Sequence, residues 1–405
     1  MTPALPFQTT INLPQGFSFS AVAAGIKVSG KPDLALVEAC PGTTAAALFT
    51  KNRVVAAPVE VGRASLEASR GRVRAVLVNS GNANCATGPA GRLACKRVCQ
   101  NVAHLLRVSA KEVFPSSTGI IGVPLPVEKI ASNLPRLIAA RKATEAAFHE
   151  FAGAILTTDT REKTACAQFR SGKTKVSLLG VAKGSGMIHP QLATMLVYAF
   201  TDIVARPAEL KKLLREACDQ SFNCMSVDGD TSTNDTVLLL ASGKSGVRLD
   251  SAALRKKFRA ALLEVCQSLA AQIVADGEGV QHVIHLGVEQ AKNMNEALQL
   301  ARAVAHSLLV KTAWAGADPN WGRILAAVGY SGVNVDPNRV SIFIAEQLVC
   351  QNGAACLFDE AKAHEDLCQP ECSVRVQLQR GKASVVFTTT DLTAEYVHIN
   401  ADYST

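Results

Sequence analysis

The sequence predicts a mixed α/β protein built as α+β layers rather than as one doubly wound parallel sheet. Two patterns carry that expectation. Short runs rich in Val, Ile and Leu come both singly and in pairs, and the stretch after about residue 280 holds several of them with few helical segments between. Longer segments with helical apolar spacing separate the remaining runs.

Taken in order, strands are expected at 75–78, 176–181, 193–201, 236–241, 283–288, 341–345, 373–378 and 384–388, each short and bounded by turn residues. Helices are expected at 91–106, 207–221, 251–275 and 289–308. Pro207 suits a first helical turn and Ser251 an N-cap. The chain shows no internal repeat and no low-complexity linker, so its domains should be closely joined.

With 405 residues, 48% hydrophobic and 19% charged, the chain can bury a large core divided among two or three domains, which excludes disordered and fibrous classes. The central apolar run ending at Phe200 is interrupted by Thr194 and falls far short of the roughly 20 residues that cross a bilayer. The first residues lack the basic-then-apolar pattern of a secretory signal, so no membrane partner and a cytoplasmic location are expected.

The net charge of +8 invites a nucleic-acid reading, but the distribution argues against it. Residues 1–193 carry 23 basic against 10 acidic side chains, while residues 194–405 carry 19 against 24. The two parts are complementary in charge, and only 5% of residues are aromatic, which leaves few stacking platforms. The twelve cysteines contain no C-x-x-C spacing, and His282 and His285 have no acidic or thiol partners nearby in sequence, so no metal site is expected. No G-x-G-x-x-G follows a strand, and Lys183-Gly184-Ser185-Gly186 departs from a phosphate-binding loop. The acidic spacing from Asp228 to Asp235 lacks the Glu that a calcium loop needs at its twelfth position, where Leu239 stands.

Five polar, glycine-containing segments interrupt the apolar pattern and read as loops: residues 78–84, 115–122, 183–190, 227–235 and 318–323. The third leads directly into a strand in which Thr194 is the one hydroxyl near the start. From spacing alone the ordinary reading of Thr194, a β-branched strand residue, is favoured, and the sharper reading is a nucleophile. In the second case it attacks the preceding carbonyl, rearranges to an ester and, after hydrolysis, becomes a new N-terminus whose amine serves as general base.

The runs KGSGMIHPQLATMLVYAFTD, VNSGNAN, SSTGIIG, VDGDTSTND and DPNWGR resemble the ornithine acetyltransferase family, and the resemblance extends from Gly16 to Thr405. Membership implies a self-processing acyltransferase fold of the N-terminal-nucleophile type, shared with an aminopeptidase superfamily. It implies cleavage between Ala193 and Thr194 into an α chain of residues 1–193 and a β chain of residues 194–405, the latter with a smaller domain at about 280–405. It further implies that Thr194 carries acetyl from N-acetylornithine to glutamate and that the Thr118 hydroxyl and Gly119 N–H form the oxyanion hole. Substrate-binding positions fall on Thr158, Lys183, Thr194, Glu278, Asn400 and Thr405, with Thr157 an equally placed alternative to Thr158. By charge, Lys183 suits a carboxylate and Glu278 the ornithine ammonium. The family suggests a heterotetramer of two α and two β chains, no bound cofactor, and acetyl-CoA as an open question. A hydrolase of the same architecture, an aminopeptidase or amidase, is the alternative, and a noncatalytic amino-acid-binding protein is a more distant one.

Overall fold

The computed structural model describes residues 11–189 and 195–402. The first part of the chain forms β1 (Phe17–Val22), β2 (Leu34–Ala39), β3 (Thr44–Phe49), α1 (Ala57–Ala68), β4 (Ala75–Asn82), α2 (Gly88–Leu106), β5 (Val113–Ile120), α3 (Val127–Ala139) and α4 (Glu145–Ala154). It continues through β6 (Lys163–Ser171), β7 (Thr174–Lys183), β8 (Leu196–Thr201), α5 (Pro207–Asp219), β9 (Thr236–Ala241) and α6 (Ala252–Ala275).

These elements make two sheets, ordered β1-β2-β4-β5 and β3-β9-β8-β7-β6, with β4–β5 and β8–β9 parallel and the other neighbours antiparallel. Side-chain alternation decides how they stack. In β2, Ala35 and Val37 face Leu179, Val181, Tyr198 and Phe200 of the second sheet, while Leu34 and Leu36 face α2 and α3. In β8, Val197 and Ala199 turn to the opposite face, where Leu210, Leu214, Phe258, Leu262 and Leu269 of α5 and α6 cover them. Two sheets packed face to face between outer helices give four layers, which explains why the central strands read as continuous apolar runs. Phe19 locks the inner interface, edge-on to both Phe148 and Phe200 at 5.3 Å between ring centroids.

Helix α6 is long and apolar enough by length and composition to cross a membrane. Here its apolar face is a core face, and the Ser251 side chain caps its start by accepting from the Leu254 N–H.

The remaining residues form β10 (Val283–Ala291), α7 (Met294–Ala305), α8 (Leu308–Ala315), α9 (Trp321–Gly329), β11 (Ser341–Ile344), β12 (Gln347–Gln351), β13 (Ala354–Ala355), α10 (Glu360–Leu367), β14 (Glu371–Gln377), β15 (Ala383–Thr390) and α11 (Ala394–Asp402). Their sheet, β13-β12-β11-β14-β10-β15, has a core of its own around Leu286, Leu300, Trp314, Ile342, Val374 and Phe387. The helix expected over 289–308 starts later. Glu289 pairs with Gln377 and Ala291 with Ala383, so the strand runs on, and Asn293 caps α7 by accepting from the Glu296 N–H. Two of the five segments read as loops are strand ends: β4 continues through Asn82 and β5 through Ile120. The side chains of Asn79, Ser80, Asn82, Asn84 and Ser117 there are buried in hydrogen bonds, so they need no apolar partner.

Candidate active site

The parallel strands β4 and β5 end together with Gly81 opposite Gly119. Gly119 has φ +126°, and a Cβ there would stand 2.4 Å from the Gly81 carbonyl carbon, so this position admits only glycine. Around it the asparagines replace the missing apolar packing. Ser117 Oγ donates to Asn79 Oδ1 at 2.6 Å, and Asn79 Nδ2 donates to the Asn82 carbonyl at 2.8 Å. Asn234, just before β9, reaches across with Nδ2 to the carbonyls of Ala83 at 2.7 Å and Ser117 at 2.8 Å. Three separated motifs thus hold Thr118 and Gly119 at one strand end.

Lys183 closes this end from the second sheet. It is the last residue of β7, and its Nζ donates to Thr157 Oγ1 at 2.7 Å and Thr118 Oγ1 at 3.3 Å. Thr158 lies beside that threonine in the chain. Lys183 pairs in register with Leu196, so the chain leaves the sheet at Lys183 and re-enters it beside the same residue. Ala193, Thr194 and Thr405 lie outside the described residues.

Behind Lys183 sits a buried ion network that sequence reasoning missed. Asp159 Oδ1 accepts from Lys163 Nζ at 2.6 Å and from the Gly184 N–H at 2.6 Å, and Lys163 also meets Asp276 Oδ2 at 2.5 Å. Burial alone would raise the Asp159 carboxyl, but the charges of Lys183 and Lys163 and these donors outweigh it and hold the group down to about 2. Asp276 also accepts from both the backbone and the hydroxyl of Thr160.

The glycines of the KGSG segment let Glu278 approach. A Cβ on Gly186 would stand 2.2 Å from Glu278 Oε2. The Glu278 N–H donates to the Ser185 carbonyl at 3.1 Å, and Asn400 Nδ2 donates to Glu278 Oε2 at 2.9 Å. Helix α11 is docked there by Thr393 Oγ1 on the Gly279 carbonyl at 2.7 Å. Lys183 with Thr118 therefore meets the segment at its start, and Glu278 with Asn400 meets it at Ser185 and Gly186.

Two further groups hold the chain that leads toward residue 190. Asp228 accepts from the N–H groups of Met187 at 2.5 Å and Ile188 at 2.9 Å. His189 Nδ1 lies 3.1 Å from His306 Nε2, which is 2.9 Å from Ser226 Oγ. Burial first, then the charges of His189, Lys311 and Arg302, push His306 down to about 3, so the pair is neutral at pH 7. In the segment at 318–323, Asn320 caps α9, and Arg323 donates to the Leu309 carbonyl at 2.9 Å, tying α9 to α8. Among the described residues no three His, Cys, Asp or Glu side chains are grouped to hold a metal ion.

The family model for the ArgJ family matches residues 18–405. The chain belongs to the ArgJ family. Curated relatives named arginine biosynthesis bifunctional protein ArgJ include that of Pseudomonas fluorescens, 40% identical over 98% of this chain and 98% of its own, and that of Geobacter sulfurreducens, 42% identical over 96% and 99%. A solved ArgJ from Bacillus halodurans aligns at 37% identity over 50% of this chain and 96% of its own, with a TM-score of 0.48. The ArgJ assignment makes this chain an enzyme.

Proposed function

We propose that this enzyme transfers acetyl from N-acetylornithine to glutamate through an acetyl-Thr194 intermediate, after its own cleavage at Ala193/Thr194. The observation that carries the reading is the meeting of Lys183, Thr118 and Gly119 beside Leu196, two residues after the nucleophile. In cleavage, Thr194 Oγ attacks the Ala193 carbonyl, the peptide C–N bond breaks to leave an ester and a free amine, and water hydrolyses the ester to the Ala193 carboxylate.

In the first half-reaction the Thr194 hydroxyl attacks the acetyl carbonyl while its α-amine takes the proton. An amine with an ordinary pKa of about 8 does this without a histidine. The oxyanion forms against the Thr118 hydroxyl and the Gly119 N–H, then the C–N bond breaks and the proton passes to the leaving ornithine amine. The glutamate amine attacks the acetyl ester in the reverse sense, releasing N-acetylglutamate and restoring Thr194. Glu278, fixed by Asn400, suits the ornithine side-chain ammonium, and Lys183 brings positive charge to an anion bound or formed nearby. Thr158 and Thr405 complete the proposed binding set.

The word bifunctional in the relatives' names supports acetyl-CoA as a second acetyl donor to glutamate. The two fragments would stay joined because the second sheet draws β3, β6 and β7 from one and β8 and β9 from the other, and two such pairs would form the heterotetramer. Mixing the protein with N-acetylornithine and glutamate tests the reading. The transferase forms N-acetylglutamate, whereas a hydrolase releases acetate at a rate indifferent to glutamate.

A further inference from the structure

Lys183 carries a contact pattern that binding a substrate carboxylate does not explain. An ammonium has three N–H donors. Those of Lys183 face Thr157 Oγ1 at 2.7 Å, Thr118 Oγ1 at 3.3 Å and, as a looser ion pair, Asp159 Oδ2 at 3.7 Å. Its side chain is 11% exposed, and that of Asp159 is fully buried. Asp159 is itself immobilised by the Gly184 N–H and by Lys163, which is anchored in turn on Asp276. Two ammoniums and two carboxylates thus form one buried set, joined at its exposed rim by Arg161, whose Nε lies 3.8 Å from Asp276 Oδ1.

The consequence falls on Thr118. A hydroxyl has one proton to give and two lone pairs to accept with. With the Lys183 ammonium donating into one lone pair, the Thr118 proton points away from Lys183. A hydroxyl whose oxygen accepts from a cation is also the stronger donor, because linked hydrogen bonds polarise one another. An oxyanion hole works only when its donors are fixed in advance, and this arrangement fixes one of them.

We propose that Asp159 is a positioning residue of acyl transfer, holding the Lys183 ammonium against Thr118 Oγ1 so that the Thr118 proton is committed to the developing oxyanion. The proposal rests on the acetyl-transfer reading and deepens it. In this role Lys183 acts through Thr118. Asp159 also accepts from the Thr157 N–H at 3.1 Å, and Asp159→Asn keeps one acceptor oxygen but removes the charge that faces both Lys183 and Lys163.

The test is a double-mutant cycle with Thr118→Val, with rates taken per mole of cleaved protein and the cleaved fraction read by intact mass. Loss of a whole oxyanion donor costs on the order of 100- to 1000-fold in kcat, so misplacing one should cost roughly 10- to 100-fold. Asp159→Asn should therefore lower kcat in both half-reactions by that factor and leave both KM values within about threefold. On the Thr118→Val background the same substitution should cost less than about threefold, because the group it acts through is gone. Lys183→Gln is carried through the same cycle, which keeps the test decisive if Asp159→Asn leaves too little cleaved protein. Losses that multiply in full with Thr118→Val, or that appear in KM alone, overturn the proposal. Wild-type protein in the same assay separates the two levels: if it makes no N-acetylglutamate, the acetyl-transfer reading itself has failed.

Discussion

Gly186→Ala should damage recognition of the acetyl donor while leaving the fold intact. The added methyl would stand 2.2 Å from Glu278 Oε2, against the roughly 3.4 Å at which such contacts become ordinary. The backbone at Gly186 is not among those with positive φ, so alanine meets no conformational strain. Relief must come from the carboxylate, which has to retreat by about 1.2 Å. That exceeds the slack in the 2.9 Å bond from Asn400 Nδ2, which fails as a hydrogen bond beyond about 3.5 Å. A hydrogen bond to a charged group is worth about 1.5 to 3 kcal/mol, so misplacing Glu278 should raise KM for N-acetylornithine roughly 10- to 100-fold. Steady-state transfer at saturating glutamate measures this, and thermal denaturation should show little change because the bond is solvent-exposed. An unchanged KM in a cleaved, folded variant would refute the placement of Glu278 against this segment as the ammonium site.

Three other outcomes follow from the same geometry. Gly119→Ala combines an unfavourable φ with a methyl 2.4 Å from backbone that cannot swing aside, and should cost about 3 kcal/mol or more, seen as a lower denaturation midpoint and poor self-cleavage. Asn234→Ala strands the buried carbonyls of Ala83 and Ser117, and should cost roughly 2 to 4 kcal/mol in urea denaturation together with a lower kcat. His306 is held down to about 3 from an ordinary 6.5, so the unfolded chain binds its proton first as pH falls. Between those values this group should withdraw about 1.4 kcal/mol of stability per pH unit of acidification, a slope that His306→Gln removes in denaturation measured from pH 6.5 to 4.5.

Much of the fold is written locally. The runs at β8 and β9 read as strands because both of their faces are buried, and α6 announces itself by Ser251 and its apolar spacing. Strand β3 was harder to see because its centre is Ala45, Ala46 and Ala47, small residues with little strand preference that are buried between larger neighbours. Strand β5 was hidden because Pro115, Ser116, Ser117, Thr118 and Gly119 look like loop chemistry; what makes them a strand is parallel pairing with β4, a long-range contact. The site shows the same division. Thr118, Gly119 and Lys183 sit in recognisable motifs, but Asp159 meets Asp276 through Lys163 across more than a hundred residues, and no local spacing reveals such a network. The pairing of Glu278 with Asn400 is likewise created only by docking of α11.

The most direct test of the central claim is intact mass of the purified protein before and after incubation with N-acetylornithine. The account predicts two fragments, of 193 and 212 residues, with a single acetyl group gained by the fragment beginning at Thr194 and lost again on addition of glutamate. Active protein that remains one uncleaved chain of 405 residues, or transfer without any acetyl on that fragment, would contradict it.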